Sequence, residues 1–290
     1  MRRTTETTTI LGVDAAWTAP KPSGVALVQR TTDAWRCVTA APSYDEFYGA
    51  AAGREIRWET SGRCCAPPNL SLLCDTACEL AGTPVDLIAV DMPVATVAIS
   101  GRRNADIAVS REFGSRRCPA HSPSAARPGR IGADFASDAR ALGFELATTN
   151  KHWTGNKRLL EVYPNPALLS LLERGIRVKY KAGKTRKYWP SDSVRQRIAS
   201  LLTEYRAIYD ALVRAFGNIA LDLPSAEEVP TLASLKSYED ALDALVCAWV
   251  GTQYVEGRTV ALGDETAAVW CPRDVVRGAQ APVSRMVSPE

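Results

Sequence analysis

The feature that most constrains this chain is a pair of short apolar runs that each end in an aspartate. Residues 8–14 read TTILGVD and residues 85–91 read VDLIAVD. Runs of this length with little polar alternation are what strands covered on both faces look like. Each stops on a carboxylate, Asp14 or Asp91, followed by Ala15-Ala16 in the first case and Met92-Pro93 in the second. A carboxylate at the end of a buried strand is partly desolvated and costly unless it is paired or bound to a cation. Ligand sites in α/β sheets lie off the carboxyl ends of the strands, so both acids point to one rim. A capping acid at a strand-to-loop junction explains either alone; the joint occurrence asks for more.

The remaining elements follow from periodicity. Residues 23–30 (SGVALVQR) and 34–40 (AWRCVTA) predict two more strands, joined to the first by short connections that suit antiparallel hairpins. Ser43 with Glu46 three residues on predicts a capped helix to about Ala52, and a second helix runs from about Ser71 to Leu80, stopped by Gly82 and Pro84. Three hairpin strands, helices, then a strand returning beside the first is the opening half of a ribonuclease H-like topology. Further on, the sequence predicts a helix near 135–147, a strand at 158–163 (RLLEVY), a helix at 166–174, a basic loop at 176–188, a long amphipathic helix at about 191–216, a helix at 235–250 and a closing hairpin. Residues 100–135 are rich in Arg, Ser and Pro and poor in aliphatics, and read as a loop-rich insertion. With no internal repeat, residues 1–290 read as one mixed α/β domain, its first three strands antiparallel and its sheet flanked by helices.

The helix LKSYEDALDALVCAWV carries a second acidic pair. Asp240 and Asp243 are three apart and share a face, while Leu242, Leu245, Val246 and Trp249 turn to the core. Acids near a helix N-terminus are favoured by about 0.3–1 kcal/mol each, which explains one of them. Two on a face flanked by alanines fit a cation better. Carboxylates on adjacent elements hold hard cations such as Mg²⁺ or Mn²⁺. Two such ions about 4 Å apart activate water and stabilise the leaving oxygen of a phosphodiester. That chemistry needs no imidazole base, which suits a chain with two histidines, His121 and His152.

The segments GVDAA (12–16), VDMP (90–93), LEVYPNPAL (160–168), EDALDALVCAW (239–249) and VWCP (269–272), in that order, resemble the DUF429 family of predicted ribonuclease H-like nucleases over nearly the whole chain. The acidic helix also resembles that of RuvC-type Holliday junction resolvases. The resemblance implies metal ligation and catalysis by Asp14, Asp91, Asp240 and Asp243, with Glu161 close behind them, and Mg²⁺ or Mn²⁺ as cofactor. Two positions depart from the family pattern: Asn165 stands where an acid usually follows the Tyr-Pro, and Met92 separates Asp91 from its proline. Glu46 is the counterpart available for the helix-borne glutamate of ribonuclease H, and a capping partner is its other reading.

A nucleic-acid substrate fits the cation distribution better than the total charge. The net charge is only +3 and the pI near 8.4, but Arg102, Arg103 and Arg111 follow the Asp91 strand, and Lys179 and Lys181 lie in the second basic stretch. Guanidinium forks match phosphate, so these five are the candidate substrate contacts, with solvated faces the alternative. Asp106 is a possible salt-bridge partner for these arginines, and a buried ion pair with one of them is the rival role for Glu161. Trp17, just beyond Asp14, either packs in the core or stacks a base. Non-enzymatic nucleic-acid binding with a relict site is the alternative function. An actin-like ATPase is disfavoured because no second half or glycine-rich phosphate loop is present. Cys64, Cys65, Cys74 and Cys78 lack the paired CxxC spacing of zinc sites and read as small buried hydrophobes. The N-terminus lacks a secretory apolar core and no run of about 18 apolar residues occurs, so a cytoplasmic, non-membrane protein is expected.

Overall fold

The computed structural model describes residues 7–18, 21–32, 34–58 and 68–277. Among these, eight strands form one mixed sheet. Strands β1 (Thr8–Asp14), β2 (Gly24–Thr31) and β3 (Ala34–Ala41) are successive antiparallel neighbours. On the other side of β1 lies β4 (Leu87–Val90), parallel to it, with β6 (Arg158–Val162) parallel to β4. The short β5 (Glu145–Leu146) also pairs with β6, and the sheet closes with β7 (Thr259–Gly263) and β8 (Ala268–Pro272), giving the order β3-β2-β1-β4-β6-β8-β7.

Strand parity divides the core into two layers. Ile10, Ala26, Val28, Leu87, Ala89, Leu160 and Val162 face one way, against α7 (Val194–Phe216) and α8 (Lys236–Val255). Leu11, Val13, Val25, Leu27, Ile88 and Val90 face the other way, against α1 (Tyr44–Ala51), α2 (Leu70–Ala81) and α4 (Arg130–Ala141). Both faces are covered, which is why β1, β2 and β4 read as continuous apolar runs.

Helix α8 is the centre of the molecule. Its residues from Glu239 to Thr252 are all buried, acids included. It lies unusually close to the sheet because glycine sits beneath it. A Cβ on Gly12 would stand 2.2 Å from the Ala244 carbonyl oxygen, and one on Gly24 2.0 Å from that of Asp240. Gly24 is the ladder partner of Asp14. The same close approach therefore brings the first turns of α8 down onto the end of β1.

The Arg-rich segment 100–135 is more ordered than its composition suggests. It contains α3 (Asn104–Phe113), whose Ala105, Val109 and Phe113 build a third apolar cluster with Leu169, Val269 and Cys271. Three widely spaced apolar residues suffice because they fall on one helical stripe. The helix expected at 135–147 begins earlier and ends at Ala141. Gly143, at φ +87°, turns the chain into β5 instead. A helix α5 (Pro164–Leu171) follows β6 directly. The expected basic loop contains a 3₁₀ turn (Ala182–Lys184) and a one-turn helix, α6 (Thr185–Tyr188). Cys64 and Cys65 lie outside the described residues, and Cys74 and Cys78 are free thiols on α2.

Candidate functional site

The four aspartates reach one rim by parity and register. Asp14 continues the even-numbered side chains of β1, and Asp91 follows Val90, the ladder partner of Val13. The Asp91 amide donates to the Val13 carbonyl at 2.9 Å. Both therefore lie at adjacent strand ends on the face that carries α8. Asp240 and Asp243 face them from the first turns of that helix and are almost completely buried, at 2% and 0% exposure.

Two lysines enter this group. The Lys181 ammonium donates to Asp243 Oδ2 and stands 3.5 Å from Glu239 Oε1. The Lys236 ammonium donates to Asp240 Oδ1, one helical turn on, and to Glu239 Oε1 at 2.9 Å. Tyr180, fully buried, donates its hydroxyl to Asp243 Oδ1 at 2.6 Å. Glu239 Oε2 also accepts from the Ala182 amide at 2.6 Å. Asp240 Oδ2 is buried without a partner. Among the described residues, neither the Asp14 nor the Asp91 carboxylate takes a side-chain hydrogen bond.

Five carboxylates against two ammoniums leave an excess of negative charge, and the proton affinities reflect it. Burial, then repulsion from Asp14, Asp243 and Glu161, hold the Asp91 carboxyl well above the ordinary aspartate range. Asp240 is raised in the same way by burial and by Asp14 and Glu239, with Lys236 working against the shift. Asp243 is pushed up to about 6, burial outweighing the pull of Lys181. Glu239 goes the other way. Despite its burial, Lys181, Lys236 and the Ala182 amide hold it below the usual carboxylate value. Among the described residues, no three His, Cys, Asp or Glu side chains stand close enough together to hold a metal ion as they are arranged. The ammonium groups of Lys181 and Lys236 occupy positions between them.

Glu161 belongs to a separate network, and parity is the reason. Its ladder partner is Val90, whose side chain faces the α1/α2 layer, so Glu161 leaves β6 on the face opposite Asp91. There Arg103 grips both its oxygens at 2.6 Å, and the Val94 amide donates at 3.0 Å. Arg103 simultaneously forks onto Asp106, which caps the start of α3. Burial opposes the charged guanidinium, but Glu161 and Asp106 hold its pKa above the ordinary arginine value. The Arg103 fork is thus spent on these two carboxylates. Arg102 contacts Ser110 and Ser122, Arg111 is exposed at the last turn of α3, and Lys179 lies over the Trp189 ring. Ser43 caps α1, while the Glu46 carboxylate accepts from Arg57.

Two adjoining cavities open over the rim. The larger, about 850 Å³, is lined by Asp14, Asp240, Lys236, Lys21 and Arg127. The smaller, about 390 Å³, is lined by Asp91, Asn165, Arg177, Lys181 and Lys184. Trp17, His121 and Lys236 border both. Trp17, partly buried, packs against the core layer of Leu11 and Val13 and also borders both cavities, edge-on to His121. Lys181, a phosphate contact by its place in the basic stretch, stands between Asp243 and Glu239. Glu239, Lys236 and Tyr180 are members of the cluster beyond the residues that the sequence predicts. The alternation Val178, Tyr180, Ala182, all buried, was the available signal that this basic stretch is packed.

The fold and rim together define a mixed α/β protein with a buried acid–lysine cluster at the carboxyl ends of its central strands. The chain belongs to the family described as protein of unknown function (DUF429), whose model matches residues 12–268. No curated protein and no solved structure matches it. Among the described residues, no helix is long and apolar enough to cross a membrane.

Proposed function

We propose that this is a ribonuclease H-like, metal-dependent phosphodiester hydrolase acting on nucleic acid. The observation that carries the reading is the buried, unpartnered Asp240 Oδ2 beside Asp14, in a carboxylate group whose charge its two lysines do not balance. Three antiparallel strands followed by parallel ones outward from β1 support the fold assignment. The donor set, all carboxylate oxygen, fits a hard divalent cation. Asp14, Asp91, Asp240 and Asp243 would hold Mg²⁺ or Mn²⁺, which when bound polarises the phosphoryl oxygen and activates water. The chain's own cations do the rest. Lys181 and Lys236 offset part of the acid charge, and Lys21 and Arg127 at the cavity wall attract and orient the phosphate backbone.

The test is cleavage of a DNA and RNA panel with Mg²⁺ or Mn²⁺. Asp14→Asn and Asp243→Asn should each abolish it while far-UV circular dichroism and the unfolding transition persist. A folded wild-type protein that cuts nothing with either ion refutes the reading. One observation favours a second function, nucleic-acid binding without catalysis: Lys181 and Lys236 already neutralise Asp243 and Asp240 in part. Calorimetry that finds nucleic-acid binding but no Mg²⁺ or Mn²⁺ binding would select it.

A further inference from the structure

The smaller cavity has a cationic wall that the acid cluster does not use. Arg177 and Lys184, both half-buried, line it, and among the described residues neither is paired with a carboxylate. Arg177 Nε is buried without a hydrogen-bond partner. Lys184 and His121 feel the surrounding positive charge, whereas burial of Arg177 is outweighed by Tyr163, Tyr188 and Tyr180, which raise its pKa. Burial, then Arg177, Lys181 and Lys187, lower the Lys184 pKa, and the exposed His121 at the mouth is lowered by partial desolvation and by Lys184, Arg177 and Arg127. Unneutralised cations in a concave, partly dry site are what an anion relieves. A second unsatisfied group belongs to the same lining. Asn165, 4% exposed, borders the cavity and carries a buried Oδ1 without a hydrogen-bond partner. That oxygen needs a donor, which phosphate dianion lacks and a sugar hydroxyl or base amino group provides.

We infer that this cavity is a pocket for a phosphate monoester of nucleotide size. Arg177 and Lys184 hold the phosphate, and Asn165 Oδ1 accepts a hydrogen bond from the attached sugar or base. Three of the acids that line the pocket are already held by other partners. Glu161 and Asp106 are held by Arg103, and Glu239 by Lys181, Lys236 and the Ala182 amide. Asp91 is the carboxylate left facing the pocket. A volume near 390 Å³ takes one nucleotide and not a duplex. This deepens the proposed function by naming the end of a strand, or a free nucleotide, as what the site grips, but its test needs no metal and no cleavage.

The experiment is calorimetry of the full chain in EDTA at constant ionic strength, titrated with inorganic phosphate, AMP and a 5′-phosphorylated oligonucleotide beside its unphosphorylated form. Wild type should bind phosphate, and AMP more tightly. Arg177→Gln and Lys184→Met should each weaken both by about tenfold, the loss expected for one charge-assisted contact. The exposed Arg206→Gln should not. Asn165→Ala should weaken AMP while leaving phosphate unchanged. Unfolding transitions confirm that each variant is folded, and Lys184→Met stands in if Arg177→Gln is not. Tighter binding of the phosphorylated oligonucleotide than of AMP assigns the pocket to a strand terminus, and the reverse to a free nucleotide. Phosphate that fails to bind, folded variants that bind as wild type, or an oligonucleotide indifferent to its 5′-phosphate together with weak AMP binding would overturn the inference. Any of these can occur with metal-dependent cleavage intact, so the two readings fail separately.

Discussion

Replacing Gly24 by alanine tests the close packing that assembles the site. The added Cβ would stand 2.0 Å from the Asp240 carbonyl oxygen and 2.4 Å from its carbon, both backbone atoms of α8 that no side-chain rotation can move. Reaching ordinary contact needs about 3.4 Å, so helix and strand must separate by more than 1 Å. A radial gap of 0.5–1 Å forfeits about a quarter to a half of each dispersion well. Losing about half of the dispersion in one leucine-sized set of about 40 contacts costs about 3 kcal/mol. That lies at the upper end of overpacking penalties. For a chain of this size it lowers Tm by about 6–12 °C. The assay is thermal unfolding by circular dichroism in EDTA, with Gly101→Ala as control because no atom lies within 4 Å of its Cβ position. The control should stay within about 0.5 kcal/mol of wild type. The lift also carries Asp240 away from Asp14, so Mn²⁺ affinity should fall in step. A Gly24→Ala protein melting within 2 °C of wild type would refute the claim that α8 rests directly on β2.

Other outcomes follow from the same geometry. Asp91→Asn removes a carboxylate whose ionised form is disfavoured by burial and by Asp14, so the variant should melt above wild type in EDTA at pH 7.5 yet lose the metal-dependent cleavage proposed for the site; a lower melting point contradicts the electrostatic account. Arg103→Met strands Glu161 and Asp106 as buried unpaired acids and should cost about 3–5 kcal/mol in denaturant unfolding. Restoring Glu161→Gln in that background should recover part of the loss. Asp264 is held down to about 2, below its ordinary 3.8, by hydrogen bonds from Thr266, Asn104 and the Ala267 amide in the β7–β8 turn. Its folded form binds the proton less readily than the unfolded one. Its contribution is therefore present above pH 3.8 and lost as pH falls toward 2. Asp264→Asn should flatten the stability-versus-pH curve in that window, and an unchanged slope would rule the turn out as its source.

What the sequence made legible was what local periodicity encodes. The apolar runs of β1 and β4, their terminal acids, and the stripe on α8 each depend on residues within about ten positions of one another. Glu161 shows where this stops. Its neighbours Leu160 and Val162 mark a buried strand as clearly as those of Asp91 do, and both acids sit near a strand's carboxyl end. Whether they share a face depends on which residue of β6 pairs with Val90, and shifting that register by one residue would move Glu161 to the α8 face. No pattern within either strand fixes it. Arg103 settles the matter from 58 residues away, by closing on Glu161 from α3.

The lysines divide along the same line. Lys236 and Asp240 are i, i+4 on one helix, so their pairing was readable from spacing alone. Lys181 and Asp243 are 62 residues apart and meet because the Tyr180–Ala182 backbone runs alongside α8, where the Ala182 amide and the Tyr180 hydroxyl anchor it to Glu239 and Asp243. An acid cluster read from sequence alone is therefore read without its long-range counterions. Here those counterions decide how much charge the site has left to offer a metal ion. With Lys181 on Asp243 and Lys236 shared between Asp240 and Glu239, the carboxylates still open are Asp14, Asp91 and one oxygen of Asp240. Those three, rather than Asp243, are the groups whose removal should weaken Mn²⁺ binding most. Titration calorimetry on the three single asparagine variants beside Asp243→Asn would reverse that ranking if Asp243 proved dominant.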